Sequence, residues 1–140
     1  DQVLVVFTGP NTYVIGTWYS NPHTPSTWNY MSGHVRGIIR FLDDAAIIEA
    51  LKKISLHFEN YDQNSPTIYD NLPADYTQRL MKAIVAFEIE IHAMDTVFKL
   101  SQDRDLISYQ NIILKLKEQN ENGIRIAEEM EKRIDQLFSI

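Results

Sequence analysis

The chain has 140 residues, of which 44% are hydrophobic and 23% charged, and its formal net charge is −6; this is the size and balance of one ordinary globular domain. With no Cys, disulfides, thiolate metal sites and a Cys nucleophile are excluded. No apolar run approaches the ~20 residues that span a bilayer, so a cytoplasmic location is expected.

The chain opens with Asp1 and is in an apolar run by Val3-Leu4-Val5-Val6-Phe7, which reads as a buried strand entered without lead-in, as expected of a fragment or a processed chain. Thr8-Gly9-Pro10-Asn11 is turn chemistry, and Thr12 to Tyr19 is predicted as the antiparallel partner of the first strand. Pro22 to Ser26 reads as a loop.

From Thr27 to Leu42 the residues divide by parity, as a strand requires. Met31, Val35, Ile39 and Phe41 share one side with Gly33 and Gly37, and the two glycines predict bending or close approach of another backbone. The other side carries Trp28, Tyr30, Ser32, His34, Arg36 and Arg40. Asp43 and Asp44 are candidate N-caps for a helix whose stripe Ile47, Leu51, Ile54 and Phe58 is predicted to pack on the sheet. Asn60 to Asn71 reads as a polar loop, and Pro73 suits the first turn of a helix reaching about Lys82.

Val85, Phe87, Ile89 and Ile91 alternate with polar residues and predict a half-exposed strand. Met94-Asp95-Thr96 then leads to a short strand, Val97 to Leu100. Ser101 is the predicted cap of a helix with Leu106, Ile113 and Leu116, and the Asn120 to Gly123 break precedes a final helix with Ala127, Met130, Ile134 and Leu137 on one side. The class is α+β: strand-rich over 1–43, mixed helix and strand over 44–100, and helical over 101–140.

Phosphate-cradling loops, the Rossmann glycine pattern, His-Glu-x-x-His and the nucleophile elbow are all missing, and the four His show no ligand spacing. No catalytic or metal-binding residue is singled out. A flavin ring needs an aromatic or apolar wall, hydrogen-bond partners and cationic or N–H donors for its phosphate. The side with Trp28, Tyr30, His34, Arg36 and Arg40 offers all three. The same residues also suit a plain reading, with Trp and Tyr packed under a helix and His and Arg at the rim. Lys99 and Ser101 likewise read as a strand-end cation and a helix cap.

The run Thr27-Trp28-Asn29-Tyr30, followed by His34 and Gly37, resembles the signature of the PaiB-type FMN-binding family of negative transcriptional regulators. Gly9-Pro10, Tyr13-Val14 and Trp18-Tyr19 resemble an upstream hairpin of that family. Phe87-Glu88-Ile89 and Phe98-Lys99-Leu100-Ser101-Gln102-Asp103-Arg104 resemble two downstream elements, so the likeness runs nearly end to end. The family is similar to pyridoxamine-phosphate-oxidase-like split barrels that dimerise and hold FMN at the subunit interface. The resemblance implies that residues 1–140 form the C-terminal portion of an FMN-binding split β-barrel with flanking and C-terminal helices, without the family's N-terminal strands. It implies a homodimeric repressor that binds FMN through Trp28, Asn29, Tyr30, His34, Lys99, Gln102 and Arg104, a binding module and not necessarily an enzyme. A flavin-dependent oxidoreductase on the same fold, and a dimerising remnant without cofactor, remain the alternatives. At Asp103 the family usually has Asn, and the extra negative charge beside a helix N-terminus disfavours a phosphate there. The net charge and the lack of a basic helical stripe predict that direct DNA binding is weak or absent.

Overall fold

A computed structural model describes residues 1–21 and 23–139. Three strands form one antiparallel sheet in the order β1 (Gln2–Val14), β2 (Thr27–Phe41), β3 (Phe87–Lys99). Five helices accompany it among the described residues: α1 (Asp44–Phe58), α2 (Ala74–Met81), α3 (Leu106–Lys117), α4 (Glu121–Glu131) and α5 (Ile134–Phe138). The α+β class and the β2 strand agree with the sequence reading. Pro22, which the sequence assigns to a loop, lies outside the described residues.

The expected hairpin at Thr8–Asn11 does not form. Gly9 and Pro10 lie inside a single strand, and the expected partner strand over Thr12–Tyr19 is instead the end of β1 followed by a 3-10 turn at Gly16–Trp18. β1 is an edge strand, where a missing proline N–H costs least. Gly9 fits because a Cβ there would come within 2.9 Å of the Met31 carbonyl oxygen. The turn signal marks a slip of register. Val3 and Val5 are half-buried while Leu4 and Val6 are exposed, but beyond Pro10 the parity reverses, with Thr12 and Val14 buried and Tyr13 exposed. Such a reversal is what a β-bulge produces.

β3 is likewise unbroken: Met94-Asp95-Thr96 continue the strand instead of linking two, because Asp95 is paired with Arg36 of β2. At Gly37 the expected close approach is present, since a Cβ would collide with the Glu90 carbonyl oxygen and the Ile89 side chain.

The chain divides into two compact units. One comprises residues 1–3 and 37–92. Here Asp43 caps α1 by accepting from the Ala46 N–H at 3.1 Å. The covered stripe of α1 runs through Ile47, Leu51, Ser55 and Leu56 and packs on the Tyr69–Asn71 turn. The expected stripe is therefore rotated, with Ile54 and Phe58 left exposed. The reason is a polar anchor in the turn, whose Tyr69 N–H donates to Ser55 Oγ at 2.9 Å while Asp70 accepts from Lys52 at 2.8 Å.

The second unit comprises residues 4–36 and 93–140 and holds the principal core, built from Val14, Tyr19, Leu100, Tyr109, Ile112, Ile113, Leu116, Ile126, Ala127 and Met130. Asp105, not Ser101, caps α3 by accepting from the Ser108 N–H at 2.9 Å. Ser101 is in the left-handed region with φ 58° and cannot cap in that position. Asn120 caps α4. The single final helix of the sequence reading is broken at Lys132–Arg133, so Ile134 and Leu137 reach the core from the short α5.

Candidate functional site

In the second unit, β2 presents Trp28 and Tyr30 on its open side. Trp28 is 51% exposed, so no helix covers it as the plain reading of this side required. The bulge in β1 turns Tyr13 to the same side, where its ring meets that of Trp28 edge to face with centroids 5.5 Å apart. This geometry suits the aromatic quadrupole and leaves an indole and a phenol accessible together. Parity along an unbroken hairpin gave no signal for Tyr13, because the bulge was not legible.

The cations of this side differ in availability. Arg36 is paired with Asp95. Lys99 donates to the Thr27 hydroxyl and, at 2.6 Å, to the Trp28 carbonyl oxygen. Both acceptors are neutral, and among the described residues no carboxylate pairs with Lys99. In the other unit, Arg40 is paired with Glu90 and lies 3.9 Å from Glu88, while His92 lies 3.5 Å from Glu90.

Asn29 is fully buried, unlike its neighbours Trp28 and Tyr30. Its Oδ1 accepts from Ser101 Oγ at 3.0 Å, and its amide lies 3.6 Å from Met130 Sδ. Strand alternation thus separates Asn29 from Trp28 and gives it to the core. His34 is half-buried on the Trp28 side.

Gln102 folds back on β3, donating to the Phe98 carbonyl at 2.5 Å and accepting from the Leu100 N–H at 2.7 Å. Arg104 lies with its guanidinium carbon 4.8 Å from the Tyr19 ring centroid. Tyr19 itself is buried, and burial raises its hydroxyl pKa against the opposing pull of Arg104. Beside this pair, Asp105 accepts from Ser108 Oγ at 2.7 Å and from Ser20 Oγ at 2.9 Å. These hydrogen bonds, those from Ser108 foremost, lower its pKa to about 2. The structure thus joins Trp28 to the unforeseen Tyr13, ties Lys99 to the main chain at Trp28, and gives Arg104 the unforeseen partner Tyr19.

Among the described residues no cluster of three or more His, Asp or Glu could hold a metal ion, and no helix is long and apolar enough to cross a membrane.

The family described as Putative FMN-binding domain matches residues 1–93, which takes in β1, β2, α1, α2 and the first half of β3. The chain is 34% identical over 135 residues to Protease synthase and sporulation protein PAI 2 of Bacillus subtilis, covering 96% of this chain and 64% of that protein. It is 27% identical over 118 residues to an uncharacterized protein of Emericella nidulans, covering 74% of this chain and 47% of that one. The chain therefore spans less than two thirds of either relative.

Proposed function

The chain belongs to the FMN-binding domain family that matches residues 1–93, and on that premise we propose that it binds FMN as part of a dimeric, PaiB-like regulatory protein, with the flavin ring on the open side of β2. The observation that carries this reading is the exposed Tyr13–Trp28 pair, with Lys99 held by the main-chain carbonyl of Trp28 and without a carboxylate partner among the described residues. A planar aromatic ligand would cover the two exposed rings together, and an anionic one would meet a cation in Lys99.

The donor set fits FMN in part. Trp28, Tyr13 and Tyr30 supply the wall for the ring, and Lys99, Gln102 and Arg104 supply the polar end. Arg36 and Arg40 are already matched by carboxylates. His34 flanks the wall. Asn29 acts through Ser101, fixing the junction between β2 and the segment that follows β3. Bound FMN would supply a redox-active ring; this chain's residues orient it and neutralise its charge.

In this reading the three strands and their helices are the C-terminal portion, residues 1–140, of a split β-barrel. β3 supports the dimer, because it is an edge strand whose residues are nearly all exposed, and such edges favour pairing with another chain. A repressor role comes from the PaiB-type resemblance alone. The test is an absorbance and fluorescence titration of the purified chain with FMN. Saturable quenching of flavin fluorescence supports the reading, and an unchanged flavin signal at micromolar protein contradicts it.

A further inference from the structure

In the first unit a cleft of about 380 Å³ lies between α1 and the loop that follows it. That volume is in the range of small-molecule sites, about 300–1,000 Å³, and the cleft shares no residue with the flavin wall. Leu56 and the buried Ile68 give it an apolar lining. The loop is held in a costly shape. Asn60 and Tyr61 are both in the left-handed region, with φ 52° and 62°, which side chains other than glycine adopt only where the surroundings impose it. Glu59 imposes it by accepting from Ser65 Oγ at 3.0 Å and from Thr67 Oγ1 at 2.6 Å, and the Tyr61 N–H donates to the Leu56 carbonyl at 2.8 Å. Strain kept in a preorganised loop beside a cavity points to a ligand. The polar lining of the cleft carries both signs of charge. Lys52 is bound to Asp70 Oδ1 at 2.8 Å, which leaves the lone pairs of Oδ2. Asn71 donates to the carbonyl oxygens of Gln63 and Ser65, each at 2.9 Å, and so keeps its Oδ1 to accept. Lys53 also lines the cleft and has no carboxylate partner among the described residues.

We propose that this cleft binds a free α-amino acid, whose ammonium group donates to Asp70 and Asn71, whose carboxylate accepts from Lys53, and whose side chain lies against Leu56 and Ile68. A ligand carrying both charges meets an opposite partner for each. A simple anion would face the Asp70 carboxylate, and a simple amine would face Lys53. A divalent metal ion does not fit, since no cluster of three or more His, Asp or Glu that could hold one exists among the described residues. The proposal is independent of the flavin reading, because the cleft and the open side of β2 use different residues.

The test is a set of melting curves of the whole chain with each of the common L-amino acids at millimolar concentration, followed by calorimetric titration of whichever raises the melting temperature most. At least one amino acid raises it, whereas the corresponding amine without the carboxylate and the corresponding acid without the ammonium do not. Lys53→Gln, at an exposed position without an ion-pair partner, melts as wild type does and weakens the titrated affinity about tenfold, the scale of one charge-assisted hydrogen bond. Asp70→Asn weakens it likewise; because this change also releases Lys52 from the turn, Lys53→Gln is the deciding variant. Failure of every amino acid to raise the melting temperature overturns the proposal. So does equal binding by the acid that lacks the ammonium, or unchanged affinity in a folded Lys53→Gln protein. FMN titration of the same Lys53→Gln protein gives the wild-type result, so the flavin reading stands or falls separately.

Discussion

Replacing Asn29 by Leu separates a core role from a ligand role at the centre of the Thr27–Tyr30 run. Asn29 is fully buried, and its Oδ1 is the acceptor for the Ser101 hydroxyl at 3.0 Å. Leu has the same number of side-chain heavy atoms, though it is bulkier, and accepts nothing, so Ser101 Oγ becomes a buried donor without a partner. Such an orphan costs about 1–3 kcal/mol, which corresponds to a fall in melting temperature of about 4 to 12 °C for a chain of this length. Ser101→Ala in the same protein removes the orphan, so the double variant recovers much of the loss, and the coupling between the two sites falls in the range of about 0.5–3 kcal/mol. Urea or thermal denaturation of the wild type, both single variants and the double variant completes the cycle. Additive losses without coupling would refute the Asn29–Ser101 account. In the folded Asn29→Leu protein, FMN affinity per native molecule changes far less than in a Trp28 variant.

Asp105 makes stability depend on acid. Its pKa is lowered to about 2 from the ordinary 3.8, so its contribution is present above about pH 4 and is lost as pH falls toward 2. The stability difference between wild type and Asp105→Asn should therefore shrink over that window in an acid-unfolding series; a constant difference contradicts the assignment. Sedimentation at micromolar concentration should show a dimer, and a strictly monomeric profile counts against β3 as a pairing edge. With a net charge of −6 and no basic helical stripe, the chain should bind DNA weakly and lose that binding as salt rises. A salt-resistant, sequence-selective nanomolar complex in an anisotropy titration would overturn this.

Local chemistry made the central strand legible. In Thr27–Phe41 the buried Asn29, Val35 and Gly37 fall on one parity and the exposed Trp28, Tyr30, Arg36 and Arg40 on the other, and Asp43 and Asn120 stand where caps are needed. What misled were residues whose local preference yields to pairing. Gly9-Pro10 carries a turn signal, yet an edge position and the close Met31 carbonyl keep it in a strand. Asp95 reads as a break until Arg36 is seen opposite it. The site was legible to the extent that it sits on β2. Tyr13 required the bulge that reverses burial parity in β1, and Tyr19 required a contact 85 positions along the chain with Arg104. Asn29 stood next to Trp28 in the motif, but alternation along the strand assigned the two side chains to different surroundings. Ser101 looked like a helix cap, and its positive φ and bond to Asn29 gave that task to Asp105.

The central claim is that the half-exposed indole of Trp28 receives the flavin ring. Its most direct test is an FMN fluorescence titration of Trp28→Phe beside wild type, with a melting curve for each. Phe keeps an aromatic surface but loses stacking area and the indole N–H. The account predicts near-equal melting and an FMN affinity lower by roughly 2- to 10-fold, the range of about 0.5–1.5 kcal/mol for an aromatic contact. An unchanged FMN affinity in a folded Trp28→Phe protein would contradict it.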